Sequence, residues 1–253
     1  MFFNRVHVDT KRSEDLLAEM QTLRGSVYLQ DGAIGLSDLT HGRYKLATDE
    51  GSWPLLVLDN QDRVGGCAGY REYSNDTGFS QLTVSRSALA QCGVWGPKLA
   101  QAVEEELALS RRLDLPYVEL CGWALLEEIR GTTEAFRMAM ATYGLSQVLG
   151  GAVGISTVTR RNRSASILKK VGGRPLKCES LELLAYHDPG YRCEMEVLRF
   201  WSWAPNPRFK VWIDRIKAEL RDILVVANDA AELAFVSPLS PWNIRPGYAC
   251  SPV

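Results

Sequence analysis

The stretch of sequence that decides the fold runs from Tyr117 to Gly173. It alternates two predicted strands with two predicted helices, with a turn of small residues before the first helix: YVELCGWALL (117–126), EEIRGTTEA (127–135), FRMAMATYGLSQVLG (136–150), GAVGISTVT (151–159) and RRNRSASILKKVGG (160–173). A strand, a helix and a second strand in this order are typical of a right-handed crossover between parallel strands. We therefore expect the strands 117–126 and 151–159 to be parallel neighbours, joined by a helix at 132–149.

The turn at Arg130–Ala135 is a candidate anion site. Free backbone N–H groups at a helix start attract anions, and the helix dipole adds to that attraction. No Asp or Glu lies between Ala135 and Cys178, whereas the same stretch carries many basic residues: Arg137, Arg160, Arg161, Arg163, Lys169, Lys170, Arg174 and Lys177. This local positive field favours a phosphate-bearing ligand over an ordinary strand-to-helix turn.

Composition argues against a disordered chain, a nucleic-acid partner and a metal site. The chain has 253 residues, 29 basic and 30 acidic side chains and 46% hydrophobic residues. This length and apolar content predict a folded chain with a sizeable core, and the balanced charge gives no general reason to expect a nucleic-acid partner. The six cysteines form no CxxC pair and the three histidines are scattered. We therefore expect no metal site.

Targeting signals are also not apparent in the sequence. The first eight residues are too short and too polar for a secretory signal, and no apolar run reaches the length of a membrane span. Reduced thiols in a cytoplasm are the simplest interpretation of the cysteines.

Apolar spacing predicts the remaining elements. Ser13 is the expected N-cap of a first helix that ends near Arg24, and Gly25–Asp49 is expected to be irregular. Five further strands are predicted: Trp53–Asp59, Val64–Tyr73, Phe79–Val84, Leu181–Tyr186 and Cys193–Phe200. A second helix is predicted at Pro97–Arg112. Another helix is predicted to begin at Asn206-Pro207, and its apolar residues share one face: Phe209, Trp212, Ile213, Ile216 and Leu220. We expect one domain over 1–236 and a proline-rich C-terminal tail over 237–253.

The turn resembles a known motif. In the GNAT superfamily of N-acetyltransferases a turn written Q/R-x-x-G-x-G/A binds a pyrophosphate, and Arg130 and Ala135 match it, with Thr133 at a usual glycine. The segment Asn162–Gly173 resembles the helix of the family's second motif, with Leu168 at the usual tyrosine. This resemblance implies the α/β class in three layers (α+β): a mixed central sheet flanked by helices, with two parallel strands that splay at the cofactor site.

A narrower resemblance is to the acyl-homoserine-lactone (autoinducer) synthases and the N-acyl amino acid synthases. Their signature E-x-S-R-F-x-V is similar to Glu119–Leu125, with Gly122 at the arginine. Their N-terminal R-x-x-V-F is similar to Arg24–Tyr28, and Ile34 lies near a usual tryptophan. The resemblance covers roughly residues 14–200.

Together these resemblances imply an N-acyltransferase that moves an acyl group from acyl-CoA or an acyl carrier protein to a primary amine of a small, amino acid-like molecule. Glu119 would be the general base, with a structural glutamate as the alternative. The phosphopantetheine donor would contact the diverging strands and the turn: Trp123, Ala124, Leu125, Arg130, Gly131, Thr132, Thr133, Ala135, Thr157 and Asn162. The bulk of Thr133 favours the arm of a carrier protein over a pyrophosphate.

The acceptor site has weaker signals. Arg24 and Tyr28 lie four residues apart, so they can share a helix face and clamp a carboxylate or a phosphate. Asp49 could bind an ammonium group, and Tyr186 with His187 could bind the acceptor or act in proton transfer. In each case an ordinary structural role is the alternative. A second hypothesis for the whole chain is a non-catalytic sensor of acyl-CoA or a module that binds a partner protein.

Overall fold

The computed structural model describes residue 3 and residues 5–228. The predicted tail at 237–253 lies outside these described residues, so the assignment of one domain over 1–236 and a separate tail stays a prediction. The described helices are α1 Thr10–Gln30, α2 Gly96–Arg112, α3 Glu134–Val148, α4 Ser164–Val171 and α5 Lys210–Asp222. The strands are β1 Arg5–Val8, β2 Ser52–Leu58, β3 Val64–Tyr73, β4 Tyr117–Leu125, β5 Val153–Thr159, β6 Arg174–Pro175, β7 Lys177–Cys178, β8 Leu181–Glu182, β9 Tyr186–Asp188, β10 Cys193–Trp201 and β11 Leu224–Ala227.

The central sheet is mixed, as predicted. Its strand order is β2-β3-β4-β5-β10-β6, and β9 pairs with the beginning of β10. β4 and β5 run parallel, whereas the other pairs in this sheet are antiparallel. The helix α3 supplies the connection between β4 and β5, so the predicted crossover is confirmed.

Helices cover both faces of this sheet and make three layers. The apolar stripe of α2 packs on one face against Tyr117 and Val153, and α1 packs nearby on Cys67 and Ala124. On the other face α3, α4 and α5 share a core with Val118 and with Leu198 and Phe200 of β10. Because side chains alternate along a strand, Tyr117 and Val118 serve opposite layers. A small parallel pair, β1 with β11, ties the first described strand to the last one.

Three segments differ from the sequence prediction. The helix α1 begins at Thr10, because Asp9 caps it by accepting a hydrogen bond from the backbone N–H of Arg12 (2.9 Å), and it continues to Gln30. The predicted strand at 79–84 is wrong, since this segment forms two 3₁₀ turns, 79–81 and 83–86. The predicted strand at 181–186 is divided between the short strands β8 and β9.

The exposure of two side chains also differs from the sequence prediction. The sequence predicts a solvated helix face for the run Glu104-Glu105-Glu106, but Glu106 is only 7% exposed. Its carboxylate accepts hydrogen bonds from the Arg199 guanidinium and from the Trp201 indole N–H, both at 2.8 Å. Trp212, expected on the buried face of α5, is 55% exposed. Glu106 therefore ties α2 to β10 through a partly buried ion pair.

Replacing Glu106 by alanine should destabilise the fold by about 3–5 kcal/mol, because it leaves the Arg199 cation without its partner in a largely dry site. Urea unfolding followed by circular dichroism measures this difference. Glu105→Ala, on the exposed side of the same helix, is the matched control and should change stability by less than about 0.5 kcal/mol. Equal effects of the two substitutions would contradict this role of Glu106.

Gly154→Ala should also be costly. Gly154 pairs with Phe200 across β5 and β10, and an added Cβ would overlap the Phe200 ring. That ring is buried and packs edge-on against Tyr143 at 5.6 Å between centroids, so it has little room to move. We expect a loss of about 1–3 kcal/mol in the same unfolding assay. Gly93→Ala, where an added Cβ would have no neighbour within 4 Å, is the control.

Candidate active site

The parallel strands β4 and β5 separate part-way along their length. They pair from Tyr117 with Val153 to Leu120 with Ser156, and the Ser156 hydroxyl donates to the Leu120 carbonyl at 3.0 Å. Beyond this point β4 stays paired only with β3, and β5 only with β10. A cavity of about 820 Å³ opens where the strands part.

A bulge turns β4 away from β5. Cys67 pairs with Ala124 and Gly69 with Cys121, so two residues of β4 lie opposite one residue of β3. An extra residue in one strand bends it and increases its twist. Gly122, within the bulge, has φ +63°, and an added Cβ there would lie 3.2 Å from the Arg24 guanidinium carbon. Glycine at this position, where the synthase signature has arginine, therefore meets a backbone requirement.

The cavity passes through the sheet, since its lining comes from both faces. On the face of α3 and α4 it is lined by Phe136, Ile167 and Lys170. On the opposite face it is lined by the 83–87 segment and Tyr186. We call the first the α4 end and the second the 3₁₀ end. A ligand with two parts can thus approach the parting strands from two sides.

The turn before α3 lies at the α4 end. Gly131 has φ +81°, and no atom lies within 4 Å of the place where a Cβ would be. The backbone N–H groups of Gly131, Thr133, Ala135 and Phe136 have no acceptor among the described residues, while Glu134 N–H bonds the Thr132 hydroxyl. Open N–H groups at a helix start suit an anionic ligand.

The side chain of Arg130 is already engaged. Its two terminal nitrogens donate to the two carboxylate oxygens of Asp31, at 2.9 and 3.1 Å. Asn162 donates to the same carboxylate at 2.6 Å, and Arg161 donates to the backbone carbonyl of Asp31. Asp31 therefore joins the end of α1 to the turn before α3 and to the segment that precedes α4.

Glu119 is buried and lines the 3₁₀ end of the cavity. Its carboxylate accepts three hydrogen bonds: from the Tyr73 hydroxyl at 2.5 Å, from Thr83 N–H at 2.9 Å and from Val84 N–H at 3.0 Å. These contacts fix the 3₁₀ turn 83–86, called the 3₁₀ segment below, against β4. They also explain why this segment is not a strand, because a carboxylate takes the N–H groups that a neighbouring strand would have used.

Arg24 and Asp49, predicted separately as acceptor ligands, contact each other. The Arg24 guanidinium donates to both Asp49 oxygens, at 2.8 and 3.1 Å, with side chains only 1% and 8% exposed. Gln21 and the backbone N–H of Leu46 complete the shell of the carboxylate. Neither ion lines the cavity, so the pair lies behind its wall.

Tyr28 lines the cavity and donates its hydroxyl to the Trp123 carbonyl at 3.2 Å. Its ring packs against Tyr44 and Tyr191, with centroids 5.6 and 6.1 Å apart. Burial raises the pKa of Tyr28 and of Tyr191 well above the usual phenol value. Both side chains are therefore neutral hydroxyls at physiological pH.

The other predicted residues divide into two groups. Those that line the cavity are Trp123, Ala124, Leu125, Arg130, Gly131, Thr132, Ala135, Thr157, Asn162 and Tyr186. Thr133 is exposed outside the lining, and His187 points away from the cavity, with its Nδ1 3.8 Å from the exposed Glu194. Leu168, at the family's usual tyrosine, is 4% exposed and belongs to the core.

The basic run does not form one continuous charged face. Arg160 and Lys169 both pair with Glu196, and Lys177 pairs with Glu182. Arg163 and Lys170 line the α4 end of the cavity, and the Lys170 ammonium lies 5.7 Å from the centre of the Phe136 ring. The sequence predicted the positive charge, but only the structure selects these two residues.

Sequence reasoning missed several cavity residues. Arg86, Cys121 and Asp188 line the 3₁₀ end, and Asp31 lies near the turn before α3. Burial raises the pKa of the Cys121 thiol, so it is protonated near neutral pH. Cys121 stands at the serine of the signature that resembles Glu119–Leu125, whereas Asp31, Arg86 and Asp188 belong to none of the motifs.

In the described part of the chain, the His, Cys, Asp and Glu side chains form no group of three that could hold a metal ion. None of its helices has both the length and the apolar character needed to cross a bilayer.

No protein-family model matches the sequence, and no curated protein is similar to it at a significant level. Among solved structures, the chain is similar to a CoA-dependent acyl-homoserine lactone synthase, BjaI, solved with SAM and isopentyl-CoA: 16% identity, 88% of this chain and 90% of that chain covered, TM-score 0.53.

Two further structures are similar to the chain. BjaI with MTA has 16% identity over 88% of this chain and 90% of that chain, with a TM-score of 0.52. FeeM, an N-acyl amino acid synthase from uncultured soil microbes, has 14% identity over 78% of this chain and 94% of that chain, with a TM-score of 0.44. At this level of identity the BjaI comparison establishes the architecture alone. The chain has a GNAT-type fold.

Proposed function

We propose that the protein is an N-acyltransferase that uses a phosphopantetheine thioester as donor and a primary amine of a small, amino acid-like molecule as acceptor. The single observation that carries this proposal is the parting of β4 and β5 over a cavity that reaches both faces of the sheet. Such a passage lets a thioester enter from one side and an amine from the other. The similarity to BjaI, a CoA-dependent synthase, agrees with this assignment.

The donor would bind at the α4 end. Its phosphate groups would meet the open N–H groups at Gly131 and the start of α3, helped by the helix dipole. Arg163 and Lys170 add positive charge at the same end. The pantetheine arm would then extend along the exposed edge of β4 near Trp123 and Leu125, where backbone N–H groups can polarise the thioester carbonyl.

Acyl transfer requires a neutral amine. The amine nitrogen attacks the thioester carbonyl, the C–N bond forms, the C–S bond breaks and the thiolate leaves. Glu119 would accept the proton that the amine loses, directly or through a water molecule. Leu168 cannot protonate the thiolate, since it is apolar and buried in the core. That proton would come from another group or from solvent.

The donor can be CoA or an acyl carrier protein. Arg160 and Lys169 pair within the chain, which leaves few free cations for a wide protein-docking face. Arg163 and Lys170, two cations at the α4 end of the cavity, match a phosphate that both donors carry. All five cysteines in the described part are free thiols, which agrees with a reducing compartment such as the cytoplasm.

A non-catalytic acyl-CoA sensor is the second candidate. The observation that favours it is Leu168, which removes the usual tyrosine from α4 and is buried in the core. Thermal stabilisation by acyl-CoA with no thiol release for any amine tested would support the sensor and contradict the transferase.

Glu119→Gln should lower the rate of thiol release by about 10²–10⁴-fold if Glu119 is the base. The assay mixes acyl-CoA with a panel of primary amines and detects free thiol. Glutamine keeps the size of the side chain but cannot accept the proton. Unchanged turnover would remove Glu119 from this role.

Tyr73→Phe is the matched control, because it removes one hydrogen bond to Glu119 and leaves the carboxylate in place. Its turnover should fall much less than that of Glu119→Gln, since the carboxylate that accepts the proton is retained and two backbone N–H groups still hold it. A loss as large as that of Glu119→Gln would instead indicate that Glu119 acts by holding the 3₁₀ segment. Melting temperatures of both variants show whether either has lost its fold.

Lys170→Ala should raise KM for the donor by about tenfold with little change in kcat, because a charge-assisted contact to phosphate contributes about 1.5–3 kcal/mol. Lys169→Ala is the control, since its ammonium pairs with Glu196. The same acyl group is presented on CoA and on a carrier protein. Equal loss for both donors indicates recognition of a shared phosphate, whereas an unchanged KM for both would contradict the assigned donor end.

A further inference from the structure

An unpaired arginine lies at the 3₁₀ end of the cavity. Arg86 ends the 83–86 turn and lines the cavity, and its side chain makes no ion pair or hydrogen bond with any described residue. An arginine carries a full charge at any physiological pH, and its planar fork of N–H donors matches a carboxylate. A cation of this kind on a cavity wall can bind the anionic part of a ligand.

The other cationic side chains that line the cavity either have partners within the chain or lie at the α4 end. Arg130 is neutralised by Asp31, and Arg161 donates to two backbone carbonyls. Arg163 and Lys170 lie seven residues apart around α4, at the opposite end from Arg86. The cavity therefore has two separate regions of free positive charge, one for each half of a two-part reaction.

The segment that carries Arg86 is held firmly. Leu82 and Val84 are 1% and 2% exposed and pack with α2, and Glu119 binds the N–H groups of Thr83 and Val84. Two residues after this anchored pair, Arg86 starts from a fixed backbone position. A binding group on a fixed segment loses less conformational entropy when a ligand arrives.

Negative charge lies at the same end. Glu119 and Asp188 both line the cavity, and Asp188 keeps its orientation by accepting the N–H groups of Gly190 and Tyr191 through one carboxylate oxygen. An ammonium group is attracted by these carboxylates, and a carboxylate is attracted by Arg86. The 3₁₀ end is thus complementary to a zwitterion, whose two charges have opposite sign.

We propose that Arg86 binds the carboxylate of the acceptor and so selects carboxylate-bearing amines over amines of the same shape that lack it. This proposal rests on the proposed function, because it treats the 3₁₀ end as the acceptor half. Arg86 is a specificity-determining residue here and takes no part in proton transfer. The aromatic side chains Tyr28 and Tyr191, which also line the cavity, suit an aromatic body on the acceptor.

The test compares two probes that differ only in the carboxylate, L-phenylalanine and 2-phenylethylamine, by isothermal titration calorimetry. The unmodified protein should bind L-phenylalanine about tenfold more tightly, which corresponds to about 1.4 kcal/mol. Arg86→Gln should remove this preference, and Arg86→Lys should keep only part of it, since an ammonium cannot form the bidentate contact. Arg112→Gln, an exposed arginine that does not line the cavity, is the control and should keep the full preference.

The outcomes separate this inference from the proposed function. Equal affinity for the two probes, binding of neither probe, or a preference that survives Arg86→Gln would overturn the role of Arg86. A preference that depends on Arg86, found without thiol release from any donor, would support the subsite and contradict the transferase. Turnover of both probes with equal KM would support the transferase and overturn the subsite.

Discussion

The parallel pairing of β4 with β5, which ends after only four residue pairs, is the constraint on which the rest of the structure depends. Each strand keeps its other neighbour after the parting, so the sheet remains continuous while a gap opens inside it. Unpaired backbone groups at the edges of this gap need partners. A bound chain of extended shape can supply them, which makes the gap a natural binding site.

Three carboxylates hold the walls of this gap. Glu119 fixes the 3₁₀ segment to β4, Asp49 holds Arg24 behind the bulge, and Asp31 binds Arg130 beside the turn before α3. Charges with so little exposure are costly unless they are paired and hydrogen-bonded. Each pair therefore favours one arrangement of two segments that are distant in sequence, and the cavity takes its shape from these contacts.

The elements that could be predicted from the sequence are those with local, periodic signals. Val64–Tyr73 is a strand with the predicted bounds, and Tyr117–Leu125 differs by one residue, because alternating or continuous apolar residues specify a sheet layer. The predicted strand at 79–84 is wrong for a physical reason. Leu82 and Val84 are buried, but the N–H groups of Thr83 and Val84 bind the Glu119 carboxylate instead of a neighbouring strand.

The sequence by itself determined the crossover from β4 through α3 to β5, the turn with Gly131 and the local excess of positive charge, because these depend on residues close together in the chain. Only the tertiary structure decided which charges remain free. Arg24 and Arg130 pair with carboxylates 25 and 99 residues away in the sequence. Arg86 and Lys170 line the cavity without a carboxylate partner among the described residues. Charge pairing over such separations depends on how the layers of the fold pack, so local sequence patterns cannot predict it.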